Sequence, residues 1–524
     1  MMRLAALAQV SAELAATRSR VAKTNRLADF LRTCSPDGVG IAALWLTGET
    51  GKDKLGVGPA LVRTASTTPP RSTPSLTLPE ACQRLADIGA ITGDGSKARR
   101  ARVLAALFAA ATKHEQGFLA RLLLGELRQG ALASLVVDAI AEAFDIETAT
   151  VRRAWMLCAD VAEVAAVARR DGQAGLAQVG LILFRPIQPM LAQPADDIAD
   201  ALARIRQPIL EYKLDGARVQ IHKRGAEVRV FSRQGNDVTT ALPEIVAAIS
   251  ALSEAELVID GETLALASDG SPLPFQTTMR RFGRHGDDPQ LRSQLPLTLF
   301  CFDCLACGGE TLIDSATGVR HSALADSVPS SFIIPRQTDR TPDQAAAFLT
   351  AALAAGHEGL MAKDRDAPYA AGGRGSHWLK IKQVHTLDLV VLAAEWGSGR
   401  RAGRLSNLHL GVRDQDGGYL MLGKTFKGLT DYLLDWQTEQ LLAREIGRNG
   451  HVVHVRPELV VEIAFNELQQ SRQYPAGLAL RFARVKRYRP DKTCPEADHI
   501  NAVRALFARQ VAYRPRDERA AVNV

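Results

Sequence analysis

Apolar residues recur at three- and four-residue spacing through about the first 180 positions. The Ala/Leu-rich stretches Val103 to Thr112, Gly117 to Leu124, Asp138 to Ala143 and Val161 to Ala168 carry that period and predict helices. A Ser/Thr/Pro-rich segment, Thr64 to Pro79, interrupts them and predicts a loop. Around Pro186, Pro189 and Pro194 the texture changes, and a domain boundary is expected there.

Beyond Pro194 the period shortens to two. Val219 to Ile221 and Val228 to Val230 alternate apolar and polar on either side of Lys223-Arg-Gly225, the pattern of a hairpin. Leu257 to Ile259, Leu297 to Phe302 and Leu387 to Leu392 are further short strand-like runs, with helical patches at Leu242 to Leu252 and Pro342 to Ala355. After Leu387 come short strands with Gly-rich turns at Gly397 to Gly403 and Asp416 to Gly418, and one helical segment, Asp431 to Ile446. The expected fold is multidomain. An all-α part spans 1–185, an α+β part 186–385 and a small β-barrel 386–512, followed by a polar, mobile tail at 513–524.

Composition agrees with that division. A chain of 524 residues, 46% hydrophobic, has room for about three cores and is not disordered. No apolar run reaches the roughly 18–20 residues of a membrane span, so no membrane partner is expected. Glu13, Arg18, Arg20, Lys23 and Arg26 break any signal-peptide core. Seven cysteines, an odd and sparse count, point to a reduced cytoplasmic compartment rather than a disulfide scaffold. A net charge of +7 leans weakly toward a polyanionic partner.

Two attractive motifs fail on inspection. Gly48-Glu-Thr-Gly51-Lys52 ends like a phosphate loop, but Leu46 stands where Gly is needed and Asp53 where Ser or Thr is needed. Cys301, Cys304 and Cys307 have metal-like spacing without a second Cys or His pair, and they lie on an apolar strand pattern whose alternate residues face opposite ways. Core packing is the favoured reading.

The informative segment is Glu211-Tyr-Lys213-Leu-Asp215-Gly216-Ala-Arg218. A lysine closes a strand and is followed by an Asp-Gly turn and an arginine. Lysine attacks an electrophile only when deprotonated, which burial or nearby positive charge promotes, and Arg218 is a candidate source of that charge. An ordinary surface turn fits these eight residues about as well.

The segment also resembles the first motif of the covalent nucleotidyltransferases: ATP-dependent DNA ligases, RNA ligases and mRNA capping enzymes. Further segments resemble that family's motifs in the family's order: Phe231-Ser-Arg233-Gln-Gly235, Asp260-Gly-Glu262, Phe302-Asp303, Glu358 to Lys363, Trp378 to Lys382 with Arg374 before it, and Arg489 to Lys492. The resemblance implies that Lys213 takes AMP from ATP. It implies that Glu211 accepts from the adenine amino group and that Phe302 stacks on the base. Arg233 and Glu262 would hold the ribose, while Arg218, Arg233, Arg374, Lys380 and Lys382 would face the phosphates. Glu262 and Glu358 would bind Mg²⁺, or Mn²⁺ in its place, and Arg489, Asp491 and Lys492 would orient pyrophosphate. Physical chemistry supports these residue types. Phosphoryl transfer is catalysed by fixed cations around developing negative charge, and carboxylates suit a hard cation. Pro490 departs from the acidic residues common at its position, and fixes φ there.

Within the superfamily, Lys97 to Leu132, with Gly125-Glu-Leu-Arg128-Gln-Gly130, resembles the DNA-binding domain of three-domain ATP-dependent DNA ligases. The bacterial, actinomycete-type form is most similar. A helical DNA-binding domain, an ATP-grasp-like adenylation domain and an OB-fold are thereby implied, with the Leu-Arg-x-Gly turn against DNA. Lys97, Arg99, Arg100 and Arg128 are the candidate phosphate contacts. Nicked duplex DNA is the implied substrate and a monomer the expected state. An RNA or RNA–DNA repair ligase and a non-catalytic DNA scaffold are the rivals. No residue pattern identifies a sliding clamp or repair partner.

Overall fold

The computed structural model describes residues 2–51, 55–282, 288–370, 376–382 and 385–512. Lys52, Arg374 and the tail 513–524 lie outside the described residues.

The N-terminal region is helical: α1 (Leu4–Ala16), α2 (Arg20–Thr33), α3 (Pro36–Thr47), α4 (Pro59–Ala65), α5 (Leu78–Ala90), α6 (Ser96–Ala110), α7 (Lys113–Leu123), α8 (Ala133–Phe144), α9 (Thr148–Cys158) and α10 (Val161–Ala177). The expected loop shrinks to 66–77. Thr64 belongs to α4, which runs on to Ala65, and Thr77 and Glu80 form a reciprocal cap that draws Leu78 and Pro79 into α5. The helix expected over Val103 to Thr112 stops at Ala110, because Thr112 caps α7 with Glu115. One apolar core, with Trp45 and Phe118 at its centre, runs from Leu4 to Leu176. Gly48 ends α3 with φ +93, so the phosphate-loop lookalike starts at a helix C-terminus rather than after a strand.

The proline-rich stretch is tied near its start to the end of α9. Gln188 N–H donates to the Met156 carbonyl at 2.8 Å, and Arg185 Nε donates to that of Cys158 at 3.0 Å. Met156 and Leu157 share a buried cluster with Ile187, Met190, Phe302 and Trp378.

Two sheets form the central region. One contains β1 (Pro208–Lys213), β6 (Gly359–Asp364) and β7 (Trp378–Lys382). The other contains β2 (Ala217–Arg224), β3 (Glu227–Ser232), β4 (Glu256–Ala265) and β5 (Leu297–Cys307). In the first sheet Leu210, Leu360, Ala362, Leu379 and Ile381 pack on one side. In the second Val219, Ile221, Ile259, Leu299 and Cys301 do the same. The alternate residues of both sheets border the space between them.

Cys301 and Cys304 face the same core, contrary to strict alternation. The β4–β5 register slips between Asp260 and Gly261, so Phe302 is an extra residue on its strand and the pleat inverts after it. Core packing is what these thiols do, and burial pushes Cys301 up to about 12.

The C-terminal region is a seven-stranded sheet in the order β10-β9-β8-β12-β11, with β13 bridging β8 and β16. Its strands are β8 (His385–Trp396), β9 (Leu405–Arg413), β10 (Tyr419–Thr425), β11 (Glu445–Asn449), β12 (Val452–Val455), β13 (Val460–Phe465) and β16 (Arg484–Tyr488). A separate hairpin joins β14 (Glu467–Gln470) to β15 (Leu478–Arg481). The helix expected to reach Ile446 ends at Leu442, since Glu445 to Asn449 pairs instead with β12 around Gly450. Among the described residues no helix is long and apolar enough to cross a membrane.

Candidate active site

Register explains how the lysines meet. Lys213 lies opposite Gly359 and Glu211 opposite Met361 on β6; Lys380 and Lys382 of β7 lie opposite Met361 and Gly359. Side chains of like parity share a face, so Glu211, Lys213, Lys363, Trp378, Lys380 and Lys382 line one wall. Gly359 is required there: its φ is +142, and a Cβ would stand 2.1 Å from the Ile381 carbonyl oxygen. Arg218 lies opposite Glu262 and Gln220 opposite Asp260 on the second sheet.

Lys213 Nζ lies 2.5 Å from Glu358 Oε2, and Lys382 Nζ donates to Oε1 at 2.6 Å. Burial would raise the Glu358 carboxyl, but these two ammonium groups outweigh it and hold it below the ordinary range. Lys380 and Lys382 are depressed, first by burial and then by neighbouring cations, which for Lys380 include Arg233. Arg233 itself is exposed on the turn after β3.

Arg218 is less available than the sequence suggests. Its Nη2 donates to Asp260 Oδ2 at 2.7 Å and Nη1 to the Met190 carbonyl at 2.7 Å, while Tyr369 Oη donates to the same Asp260 oxygen at 2.6 Å. Lys382 and Lys380 are cations that interact with Lys213, and Glu358 sits against Lys213 itself.

Glu211 is 1% exposed, with Oε2 2.6 Å from Lys363 Nζ and Oε1 3.4 Å from His321 Nε2. Burial raises its carboxyl, with Lys363 opposing. Oε1 makes no hydrogen bond, a buried acceptor open to a ligand donor. Phe302 is 8% exposed and packs edge-on to Trp378. The Lys363 ammonium lies 4.6 Å from its ring centre, and the Arg218 guanidinium 5.3 Å. Asp303, beside it, points elsewhere. It forms a fully buried pair with Arg320 at 2.7 and 3.0 Å, which anchors the helix that carries His321.

Burial pushes Glu262 up to about 7, against Lys213 and Arg218. Asp215 rises to about 6 through burial and then the charges of Glu358 and Glu467. Glu262 and Asp215 are crowded, raised carboxylates of the kind a divalent cation would relieve, whereas Glu358 is already neutralised by its two lysines. Among the described residues no group of three His, Cys, Asp or Glu forms a metal cage. Two carboxylates completed by substrate phosphates suit Mg²⁺, which keeps much of its water. The residues fit.

The C-terminal region reaches this wall through its hairpin. Glu467 and Arg481 act on Asp215, Arg481 lies 5.9 Å from the Phe275 ring centre, and Gln276 contacts Gln469 at 3.5 Å. Arg489 and Lys492 lean instead on Asp388 of β8, at 2.8 and 2.6 Å, and Asp491 pairs with Arg489 at 2.6 Å.

In the helical region Lys97 and Arg99 are exposed, and Arg128 is 67% exposed. Arg99 and Arg100 have partners of their own: Arg99 donates to the carbonyls of Thr92 and Asp94, and Arg100 to that of Ile91. Sequence reasoning did not single out Lys363, Tyr369, Asp388, Lys23 or Gln129. Asp388 had a signal, a lone charge inside the apolar run Leu387 to Leu392.

Three family models match the chain: "DNA ligase N terminus" at 62–141, "ATP dependent DNA ligase domain" at 189–382 and "ATP dependent DNA ligase C terminal region" at 401–492. A "Probable DNA ligase" of Anaeromyxobacter sp. (strain Fw109-5) is 54% identical, covering 98% of this chain and 99% of its own. One of Mycolicibacterium vanbaalenii is 51% identical, covering 97% and 100%. The solved structure "Pmar-Lig_Pre." shares the fold, with TM-score 0.58 at 19% identity over 92% of this chain and 99% of that one. The chain belongs to the ATP-dependent DNA ligases, which seal nicks through an adenylate carried on the enzyme.

Proposed function

We propose that Lys213 Nζ, having given up a proton, bonds to the α-phosphorus of ATP while the bond from that phosphorus to the pyrophosphate oxygen breaks. The AMP then passes to a 5′-phosphate at a nick, and the neighbouring 3′-hydroxyl displaces it. Lys380 and Lys382 stabilise charge on the non-bridging oxygens, and Arg233 contributes from the rim. Glu211 reads the base and Phe302 flanks it. Glu262 and Glu358 would hold Mg²⁺, or Mn²⁺, which when bound neutralises phosphate charge.

The observation that carries this reading is the single wall on which Glu211, Lys213, Lys380 and Lys382 converge, facing Glu262 across the cleft. Glu358 has a further part. It holds Lys213 and Lys382 together before nucleotide arrives, so a cation drawn to Glu358 would leave both lysines to the phosphates. The C-terminal region, an OB-type barrel in this reading, turns Arg489, Asp491 and Lys492 toward the cleft for the first step and its hairpin side for the later ones.

The division 1–185, 186–385 and 386–512, a monomeric state, a cytoplasmic location and contact of Lys97, Arg99, Arg100 and Arg128 with DNA phosphates complete the proposal. Incubation with α-labelled ATP and Mg²⁺, followed by denaturing electrophoresis, tests it. Label should appear on the wild type and vanish in Lys213→Ala; undiminished label on that variant defeats the mechanism. Faster sealing of nicked RNA than of nicked DNA would favour an RNA ligase instead.

A further inference from the structure

The segment between α7 and α8 is anchored in an unusual way. Leu127, Gln129 and Ala131 are buried, while Glu126, Arg128, Gly130 and Leu132 point out. The central anchor is therefore polar. Gln129 is 3% exposed, and three of its polar groups are engaged, each by a different helix. Ser11 Oγ of α1 donates to Oε1 at 2.6 Å, Nε2 donates to the Leu46 carbonyl of α3, and Lys23 Nζ of α2 donates to the Gln129 carbonyl. Lys23 is itself only 8% exposed.

Above this network the backbone is left-handed at Gly125 (φ +67), Arg128 (φ +48) and Gly130 (φ +64). Glycine adopts that region freely; arginine does so only when its surroundings impose it. Gly130 has a second constraint, since a Cβ there would stand 2.7 Å from Lys23 Nζ. An apolar anchor would bury the segment but leave its rotation loose. A glutamine fixed from three helices sets one register, and that register holds Arg128 in its strained conformation with the guanidinium outward.

We infer that Lys23 and Gln129 are positioning residues for DNA engagement: they hold the Arg128 turn in its nick-contacting conformation before DNA arrives. The inference rests on the proposal that this turn faces DNA. Neither residue needs to touch a phosphate. Their part is to settle the ordering cost of the turn in advance, so that it does not weaken binding.

The test uses the full-length enzyme, a nicked duplex of defined sequence, and the variants Lys23→Met, Arg128→Ala and their combination. Lys23→Met should weaken nick binding by about tenfold, the scale of one buried hydrogen bond. It should raise KM for nicked DNA while leaving lysyl-adenylate yield and kcat at saturating DNA unchanged. If Lys23 acts through Arg128, the double variant should bind no worse than Arg128→Ala alone. Effects that multiply, or lysyl-adenylate yield falling in parallel, would assign Lys23 to general stability and overturn the inference. Ser11→Ala removes one bond of the same network, and should give a smaller loss of about threefold even if Lys23→Met fails to fold; unchanged affinity there also counts against the inference. An Arg128→Ala enzyme that binds like the wild type removes the DNA-facing reading and this inference with it. Weakened Arg128→Ala with an indifferent Lys23→Met removes the inference alone.

Discussion

In the cleft, Lys213 and Lys382 share the carboxylate of Glu358 and Arg218 is locked to Asp260, whereas Arg128 stands 67% exposed, with Glu126 at 3.5 Å. The first cluster sits on paired strands whose register places its lysines, with Glu358 at the strand's entrance. The second sits on a turn held by a buried amide. The cleft can keep Lys213, Lys382 and Arg218 close together because each has a carboxylate beside it, and in the proposed reaction the nucleotide's phosphates would take the place of Glu358 beside the two lysines. The turn has no such compensation to dismantle, and an exposed ion pair like Arg128–Glu126 is worth little. It is prepared by shape rather than by charge.

The largest expected effect separates architecture from chemistry within the cleft. Asp303→Asn leaves Arg320 buried without its counter-charge, which should cost about 3–5 kcal/mol in denaturant unfolding. A loss under about 1 kcal/mol would mean that the pair does not hold the helix behind Glu211. Next comes Asp388→Asn, which releases Arg489 and Lys492 from their shared carboxylate. Lysyl-adenylate formation should slow by about a hundredfold, as when an electrostatic contact in phosphate chemistry is misplaced. Sealing of an already adenylated nick should be spared. Equal damage to both steps would make Asp388 a structural residue and not a positioning one.

The legibility of the molecule in its sequence divides along the same line. Periodicity located the hairpin of β2 and β3, the strands β4 and β5, and several of the helices, α6, α7, α8 and α10 among them, because burial on one face imposes a local period. Resemblance to a family's ordered motifs marked Lys213, Glu262, Glu358, Lys380 and Lys382, and strand register then sets Lys213, Lys380 and Lys382 on one wall. The bulge at Phe302 was invisible: nothing in Leu-Phe-Cys-Phe-Asp announces an extra residue, and the facing of Cys301 and Cys304 depends on it. Pairing across distance was invisible too. Arg218 reads as a cation for phosphate until Asp260, 42 residues on, is placed against it. Gln129 meets Ser11 across 118 residues and Lys23 across 106, far beyond any local pattern.

A third cluster shows what pairing of this kind does where no nucleotide is expected. Glu395, on β8, accepts from Lys424 at 2.6 Å, His409 at 2.9 Å and Asn407 at 2.7 Å. Burial alone would raise its carboxyl, but these donors win and hold it at about 2, below the ordinary 4.5. A native pKa below the unfolded one stabilises the fold above the unfolded value, and that support is lost as pH falls through the interval between them. Thermal unfolding from pH 5 down toward 2 should therefore steepen in the wild type relative to Glu395→Gln. The difference should be about 1 kcal/mol after screening by solvent. Parallel profiles would show that the cluster carries no linkage, and would weaken the view that paired charges here serve stability as well as catalysis.

The smallest effect bears most directly on the contrast between charge and shape. Arg128→Gly removes both the exposed guanidinium and the strain of a side chain at φ +48. If the turn is held against its own preference, relief of that strain should offset the added freedom of glycine in the unfolded chain. Stability should then hold or rise, by no more than about 1 kcal/mol. Nick affinity should fall at the same time, and its salt dependence should lose about one counterion. A variant weaker in both respects would mean that Arg128 packs rather than waits, and that the turn differs from the cleft in location only. A variant that is as stable as the wild type or more so, yet weaker on DNA, would place the two sites at opposite ends of one trade: the cleft is stable because its charges are satisfied, and the turn is ready because its backbone is not.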